Sequence, residues 1–257
     1  MRAGKTLSRR VVTECAGTAA LVAVVIGSGA KAVGLSRDPG VQLLANSLAS
    51  ALALTLLLTL LGPVSGGHLN PVVTLLAWSE RRRGGEGPPG RDAALYIGAQ
   101  LAGAVAGSQF AGLTYGREPA HWSVRERSEP HLLLAEAAAT AGLVVLITGL
   151  RRTGRARWTP LAVGGYLAAA IWWSSSGSFA NPAGTAGRAL GDSFTGIAPG
   201  SVPGYVAAQL TGWALGVAVA AWLYGPPERA AAPAAPAAVP QSSGAAPAAP
   251  AALAPRP

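Results

Sequence analysis

Charge is scarce in this chain. Asp, Glu, Lys and Arg make up 12% of its 257 residues, against about 25% in a soluble domain, while 50% are apolar. The charges fall between long apolar blocks, which points to a bilayer as solvent. Cysteine occurs once, so a disulfide framework and a multi-cysteine metal site are both excluded. Cys15 lies in an apolar run and is read as a small buried hydrophobe. The three histidines, His68, His121 and His131, show no metal-ligand pairing, and no G-x-S-x-G nucleophile motif occurs. These absences argue against an enzyme and imply no cofactor or metal. No small-residue cleavage motif followed by a soluble mature domain comes after the basic start at residues 2–10, so the next apolar run is read as a membrane span, not a leader.

A helix needs roughly 20 apolar residues to cross the hydrocarbon core. Six segments qualify, at about 11–30, 41–63, 92–114, 131–150, 158–174 and 203–224. Two shorter ones, about 69–78 and 181–190, contain Asn-Pro and are too short to span. The predicted fold class is therefore an all-α membrane protein of six transmembrane helices and two re-entrant half-helices. Residues 1–10 form a basic N-terminal segment, and 11–224 the membrane domain. From 225 to 257 the chain runs into Ala-Pro repeats that cannot sustain a helix, so a disordered tail is expected there, with a Pro-rich docking segment as a lesser reading.

The net charge is +9, but the basic residues sit between apolar blocks, which fits membrane topology better than nucleic-acid binding. With the N-terminus inside, fourteen of the 20 Lys and Arg fall on the cytoplasmic side and six outside. The positive-inside rule then places both termini in the cytoplasm. The Ala-, Gly- and Arg-rich composition suggests a GC-rich bacterial genome and hence the plasma membrane.

The two halves repeat, at about 11–114 and 131–224. Residues 14–18 read E-C-A-G-T and 136–140 read E-A-A-A-T. Residues 70–74 read N-P-V-V-T and 181–185 read N-P-A-G-T, while 99–107 read AQLAGAVAG and 208–216 read AQLTGWALG. Three matches in one order, with three spans per repeat, require the second half to insert upside down. Each repeat holds one intramembrane carboxylate, Glu14 or Glu136. Either these form a proton or cation site, or they accept hydrogen bonds from the backbone of a re-entrant loop. The second reading is preferred, because non-helical backbone at membrane depth needs such partners. Gln100 and Gln209 are assigned the same support or an inter-helix role, and the G-x-x-x-G pairs Gly103/Gly107 and Gly212/Gly216 allow close helix approach.

Asn is a good N-cap and Pro suits the first helical turn, so Asn70-Pro71 and Asn181-Pro182 start helices. In inverted halves these starts meet near mid-bilayer. Each N-terminus carries about half a positive charge, and facing positive ends oppose cations. Each Asn side chain can offer an N–H to a passing oxygen. A file of neutral hydroxylated molecules suits such a path.

The segments SGGHLNPVVTL at 65–75 and SFANPAGTAGRAL at 178–190 resemble the two signature loops of the major intrinsic proteins, the aquaporins and glycerol facilitators. The resemblance covers about residues 11–224. It implies a passive channel in each subunit of a homotetramer in the lipid bilayer, passing water, glycerol or similar neutral solutes. The first loop reads Asn70-Pro71-Val72 where the second reads Asn181-Pro182-Ala183.

Members of that family usually carry Arg straight after the second Asn-Pro-Ala, at the narrowest point. Here Gly184 stands there. The resemblance places the other filter positions at Ser50, Ser178 and either Ile171 or Trp172. A fixed cation is missing from this set, and the constriction is expected to be wide. The second loop resembles a bacterial subgroup associated with arsenic-resistance operons, which suggests arsenite, the neutral triol As(OH)₃, as a solute. Arg188 lies one helical turn beyond Gly184; it is read as a displaced filter cation near the outer mouth or as a clamp to Asp192. His68 precedes Asn70 by two residues and is read as bonded within its loop, with a pH gate as the sharper alternative. A water-selective channel, or a secondary transporter with broken helices, are the rival functions.

Overall fold

The computed structural model describes residues 6–117 and 121–226. The expected 225–257 tail therefore lies outside the described residues except for its first two. Eight α-helices form among the described residues, and no strand. The first repeat contains α1 (Leu7–Leu35), α2 (Pro39–Ser65), α3 (Pro71–Arg82) and α4 (Gly90–Thr114). The second contains α5 (Pro130–Arg152), α6 (Thr159–Trp173), α7 (Pro182–Arg188) and α8 (Val202–Tyr224).

Helix starts follow the local chemistry. Thr6 caps α1 by accepting from the Arg9 amide, and Asp38 caps α2 by accepting from Val41, with Pro39 in the first turn. Four of the spans, α1, α2, α5 and the stretch Pro199–Tyr224, are long and apolar enough by themselves to cross a membrane. The other two fall short for identifiable reasons. Helix α4 carries Gln100, Gln109 and several glycines along its length, which dilute its apolar character. Helix α6 has 15 residues, about 22 Å of rise, and is preceded by a 3₁₀ turn at Ala156–Trp158.

Pseudo-symmetry governs the packing. Helix α1 packs on α4, and α5 on α8, through the matched glycines. A Cβ on Gly103 or Gly107 would collide with the carbonyls of Cys15 and Ala19. A Cβ on Gly212 or Gly216 would meet those of Ala137 and Ala141. Cys15 itself is half-buried, not fully buried as its surroundings in sequence suggested. Helices α2 and α6 join the two repeats.

The half-helices are exchanged between the cores. Val72 and Leu76 of α3 bury against Leu143, Val144 and Ile147 of α5 and Val217 of α8, in the second repeat. Ala183 of α7 buries among Val22, Ile26, Ala104 and Ala111 of α1 and α4, in the first. Each repeat thus completes the other, and neither has a finished apolar core alone. Outside, α2 exposes Leu44, Leu48, Leu52, Leu56 and Leu60 in one i, i+4 stripe, a face suited to hydrocarbon.

Candidate functional site

The two Asn-Pro turns meet. Asn70 Nδ2 donates to the Ala180 carbonyl at 2.7 Å, and Asn181 Nδ2 donates to the Leu69 carbonyl at 3.0 Å. Each Oδ1 is already engaged: Asn70 accepts from the Val72 amide, and Asn181 from those of Ala183 and Gly184. Since Oδ1 can only accept and the amide nitrogen carries two donors, one N–H per side chain is left for the space both residues border.

This clasp depends on strained backbone. Leu69 and Ala180, at equivalent positions, have φ of 49° and 45°, in the left-handed region. For residues with a Cβ that costs roughly 1–2 kcal/mol each. The buried carboxylates hold the geometry. Glu14 accepts from the His68 and Leu69 amides at 3.0 and 2.6 Å and from Ser65 Oγ at 2.6 Å. Glu136 accepts from the Phe179 and Ala180 amides at 3.2 and 2.5 Å. Gln100 Nε2 bridges Glu14 and Thr74, and Gln209 Nε2 bridges Glu136 and Thr185. The carboxylates therefore brace loops whose amides would otherwise be unpaired at membrane depth.

A cavity of about 830 Å³ runs past this clasp. It is bordered at one end by Arg151, Ala156 and Arg157, centrally by Asn70 and Asn181, and at the other end by Arg125, Ser175 and Thr195. Among the described residues that line it, five are arginines and none is Asp or Glu. Of the filter positions taken from sequence, Ser50, Ile171, Ser178 and Gly184 border it. Trp172 does not: it is half exposed on the outside of the bundle, its Nε1 donating to Ser47 Oγ at 3.0 Å. A Cβ on Gly184 would meet nothing closer than Asn181 Cγ at 3.4 Å, so space is open at this position of the wall. The hydroxyls of Ser50 and Ser178 are buried at the cavity wall without a protein partner.

Two arginines alter the electrostatics expected from sequence. Arg188 borders the cavity and donates through Nε to the Thr195 carbonyl at 2.6 Å. Its guanidinium lies 3.3 Å from the Phe179 ring centroid, and that of Arg127 lies at 5.2 Å from the same ring. Arg127 bonds the carbonyls of Gly196 and Ser176. The Arg188–Asp192 clamp does not form; the Asp192 carbonyl instead accepts from Arg117. The site therefore does hold fixed cations, supplied from positions other than 184. Burial lowers the pKa of Arg127, in the connecting loop, from its ordinary value. An arginine nevertheless keeps its charge at any physiological pH.

His68 borders the cavity near its other end, where Nδ1 pairs with Thr74 Oγ1 at 3.1 Å and the ring stands edge-on to Tyr96 at 5.3 Å. Phe179 and Tyr205 repeat that ring pair at 5.1 Å. Arg127, Phe179 and this aromatic pairing carried no signal in sequence except, for Tyr96 and Tyr205, their matching position four residues before each Gln.

Four long apolar helices and two less apolar or shorter ones in matched repeats, with two exchanged half-helices clasped beside a cavity, fit a polytopic membrane channel. The family model for "Major intrinsic protein" matches residues 2–172, and the chain belongs to that family. Its members are channels, not enzymes. The chain is 40% identical to the aquaglyceroporin AqpS of Rhizobium meliloti (strain 1021) over 222 residues, 86% of this chain and 92% of that one. It is 32% identical to the probable aquaporin AqpM of Archaeoglobus fulgidus over 247 residues, 85% of this chain and 96% of the other. The fold matches the X-ray structure of the aquaglyceroporin from Plasmodium falciparum with a TM-score of 0.64 at 18% identity, covering 86% of this chain and 96% of that one.

Proposed function

We propose that the chain is a passive channel for neutral hydroxylated solutes of glycerol size, arsenite included, along with water. The observation that carries this reading is the cavity wall at Gly184. Position 184 itself contributes no side chain to the passage, and two unpartnered serine hydroxyls, Ser50 and Ser178, stand ready to exchange hydrogen bonds with a polyol or As(OH)₃. The free N–H of Asn70 and of Asn181 supplies the next donors along the path. Similarity to a protein described as an aquaglyceroporin supports the same solute class. Ser50, Ile171, Ser178 and Gly184 form the filter in this reading, with Arg188 as its displaced cation.

Stopped-flow measurements on proteoliposomes test it. Glycerol and arsenite entry above that of empty vesicles is expected. Fast water flux with neither solute entering would make the channel water-selective and overturn the proposal. A coupled transporter is disfavoured because both buried carboxylates are committed to loop amides.

The same proposal places the protein in the plasma membrane with both termini cytoplasmic, on the strength of the Lys and Arg distribution. Reporter fusions at each terminus check the orientation. It assembles as a homotetramer in this reading, on family resemblance, and chemical cross-linking in native membranes tests that.

A further inference from the structure

We propose that the Arg125 end of the cavity is a binding site for a tetrahedral oxyanion of the phosphate class, and that an anion seated there plugs the path. The inference rests on the channel reading above and names a regulation of that same conduit. Arg188 and Arg127 both reach the Phe179 ring, and both border the cavity together with Arg125. Among the described residues, neither Arg188 nor Arg127 makes an ion pair. The carboxylate of Glu136 accepts from the Phe179 and Ala180 amides and Gln209, and Oε2 of Glu126 accepts from Ser201 Oγ, neither carboxylate lying within ion-pair distance of these arginines. Arg188 uses Nε on Thr195, and its two terminal nitrogens have no protein acceptor among the described residues. Independently, Ser178 Oγ is buried, 3% exposed, at the wall of the same cavity and has no partner.

Planar guanidinium donors match the spacing of phosphate oxygens and bind them in pairs, and a hydroxyl adds a further donor. Positive charge focused by low-dielectric walls raises the local anion concentration. The anion stops there because, past the single free N–H of Asn70 and of Asn181, the wall is formed by Val73, Leu143, Ile147 and Val163, and two neutral donors do not replace the full hydration of a charged oxyanion.

The test measures glycerol-driven swelling of phosphatidylcholine proteoliposomes with inorganic phosphate outside, at matched osmolarity and ionic strength against chloride. Phosphate is expected to slow wild-type flux saturably while chloride does not, and Arg127→Gln and Arg188→Gln are each expected to lose most of that sensitivity. Arg188→Lys, which keeps the charge without the fork, is expected to need more phosphate for the same inhibition. The wild-type phosphate and chloride arms need no substitution, so a variant that fails to fold leaves the test intact. Calorimetric titration of phosphate into detergent-solubilised full chain reads binding without transport. Binding with no solute flux at all would sink the channel reading and leave the site standing. Flux that ignores phosphate, with no heat of binding, would overturn the site. Inhibition that follows replacement by phosphatidylglycerol vesicles and ignores added phosphate would assign the pocket to a lipid headgroup and overturn the free-anion proposal.

Discussion

The guanidinium of Arg188 stacks on the ring of Phe179, 3.3 Å from its centroid. Phe179 lies in the loop whose amide Glu136 grips, so the cation is seated by the re-entrant turn itself and not by the position after Asn-Pro-Ala. Removing the charge therefore changes what the path repels. Arg188→Ala is expected to raise proton or potassium leak through proteoliposomes several-fold and to shift the ratio of glycerol to water flux. If leak and ratio both match the wild type, Arg188 is not a filter residue.

Gly184→Arg restores a bulky cation at the position of the absent side chain. A Cβ there meets nothing closer than 3.4 Å and the position borders the cavity, so the backbone accommodates a side chain at this point. Glycerol and arsenite entry should fall by about tenfold, equivalent to roughly 1.4 kcal/mol of barrier, with a smaller loss for water. Equal losses for all three solutes would place the constriction elsewhere.

Glu136→Ala strips the Phe179 and Ala180 amides of their buried acceptor. The expected cost is about 3 kcal/mol, from two donors left unpaired at depth. Glu14→Ala should behave alike through His68 and Leu69. Thermal unfolding in detergent checks both, and an unchanged midpoint would remove the carboxylates from their bracing role.

Gly103→Ala and Gly212→Ala each push a methyl into a facing carbonyl, of Cys15 and Ala137. Each should destabilise by about 1–3 kcal/mol. Gly34→Ala, with open space around its Cβ, is the control and should leave the midpoint where it is. Three equal midpoints would mean that the helix pairs approach less closely than they do here.

Arg152 grips both oxygens of Glu80, at 3.0 and 3.1 Å, and ties the end of α3 to that of α5. The side chains are 12% and 11% exposed, so loss of one partner strands the other. Arg152→Ala is expected to cost about 3 kcal/mol. The double substitution Glu80→Ala with Arg152→Ala should cost less than the two single losses added. Additive losses would show that the pair does not interact.

Much of this architecture was written along the chain. The length of the apolar runs placed the helices within a few residues, because burial in hydrocarbon demands about 20 apolar positions whatever surrounds them. The repeated Glu, Asn-Pro and Gln signatures marked a two-fold plan, because each half must satisfy the same backbone groups by the same chemistry. Gly184 stood out only through the resemblance of the second loop to the family signature, in which an Arg usually follows Asn-Pro-Ala.

Tertiary structure decided what lies across space. Nothing local says that α3 completes the core of the second repeat and α7 that of the first, since apolar side chains specify burial but not a partner. Trp172 and Ile171 are neighbours in sequence, yet only the rotation of α6 turns Ile171 to the cavity and Trp172 away from it. Arg188 sits four residues before Asp192 and pairs with a carbonyl and a ring instead. Arg127 comes from a connecting loop with no periodicity to betray it. Charge at a site is the sum over everything folded near it, and that sum is not a local property of sequence.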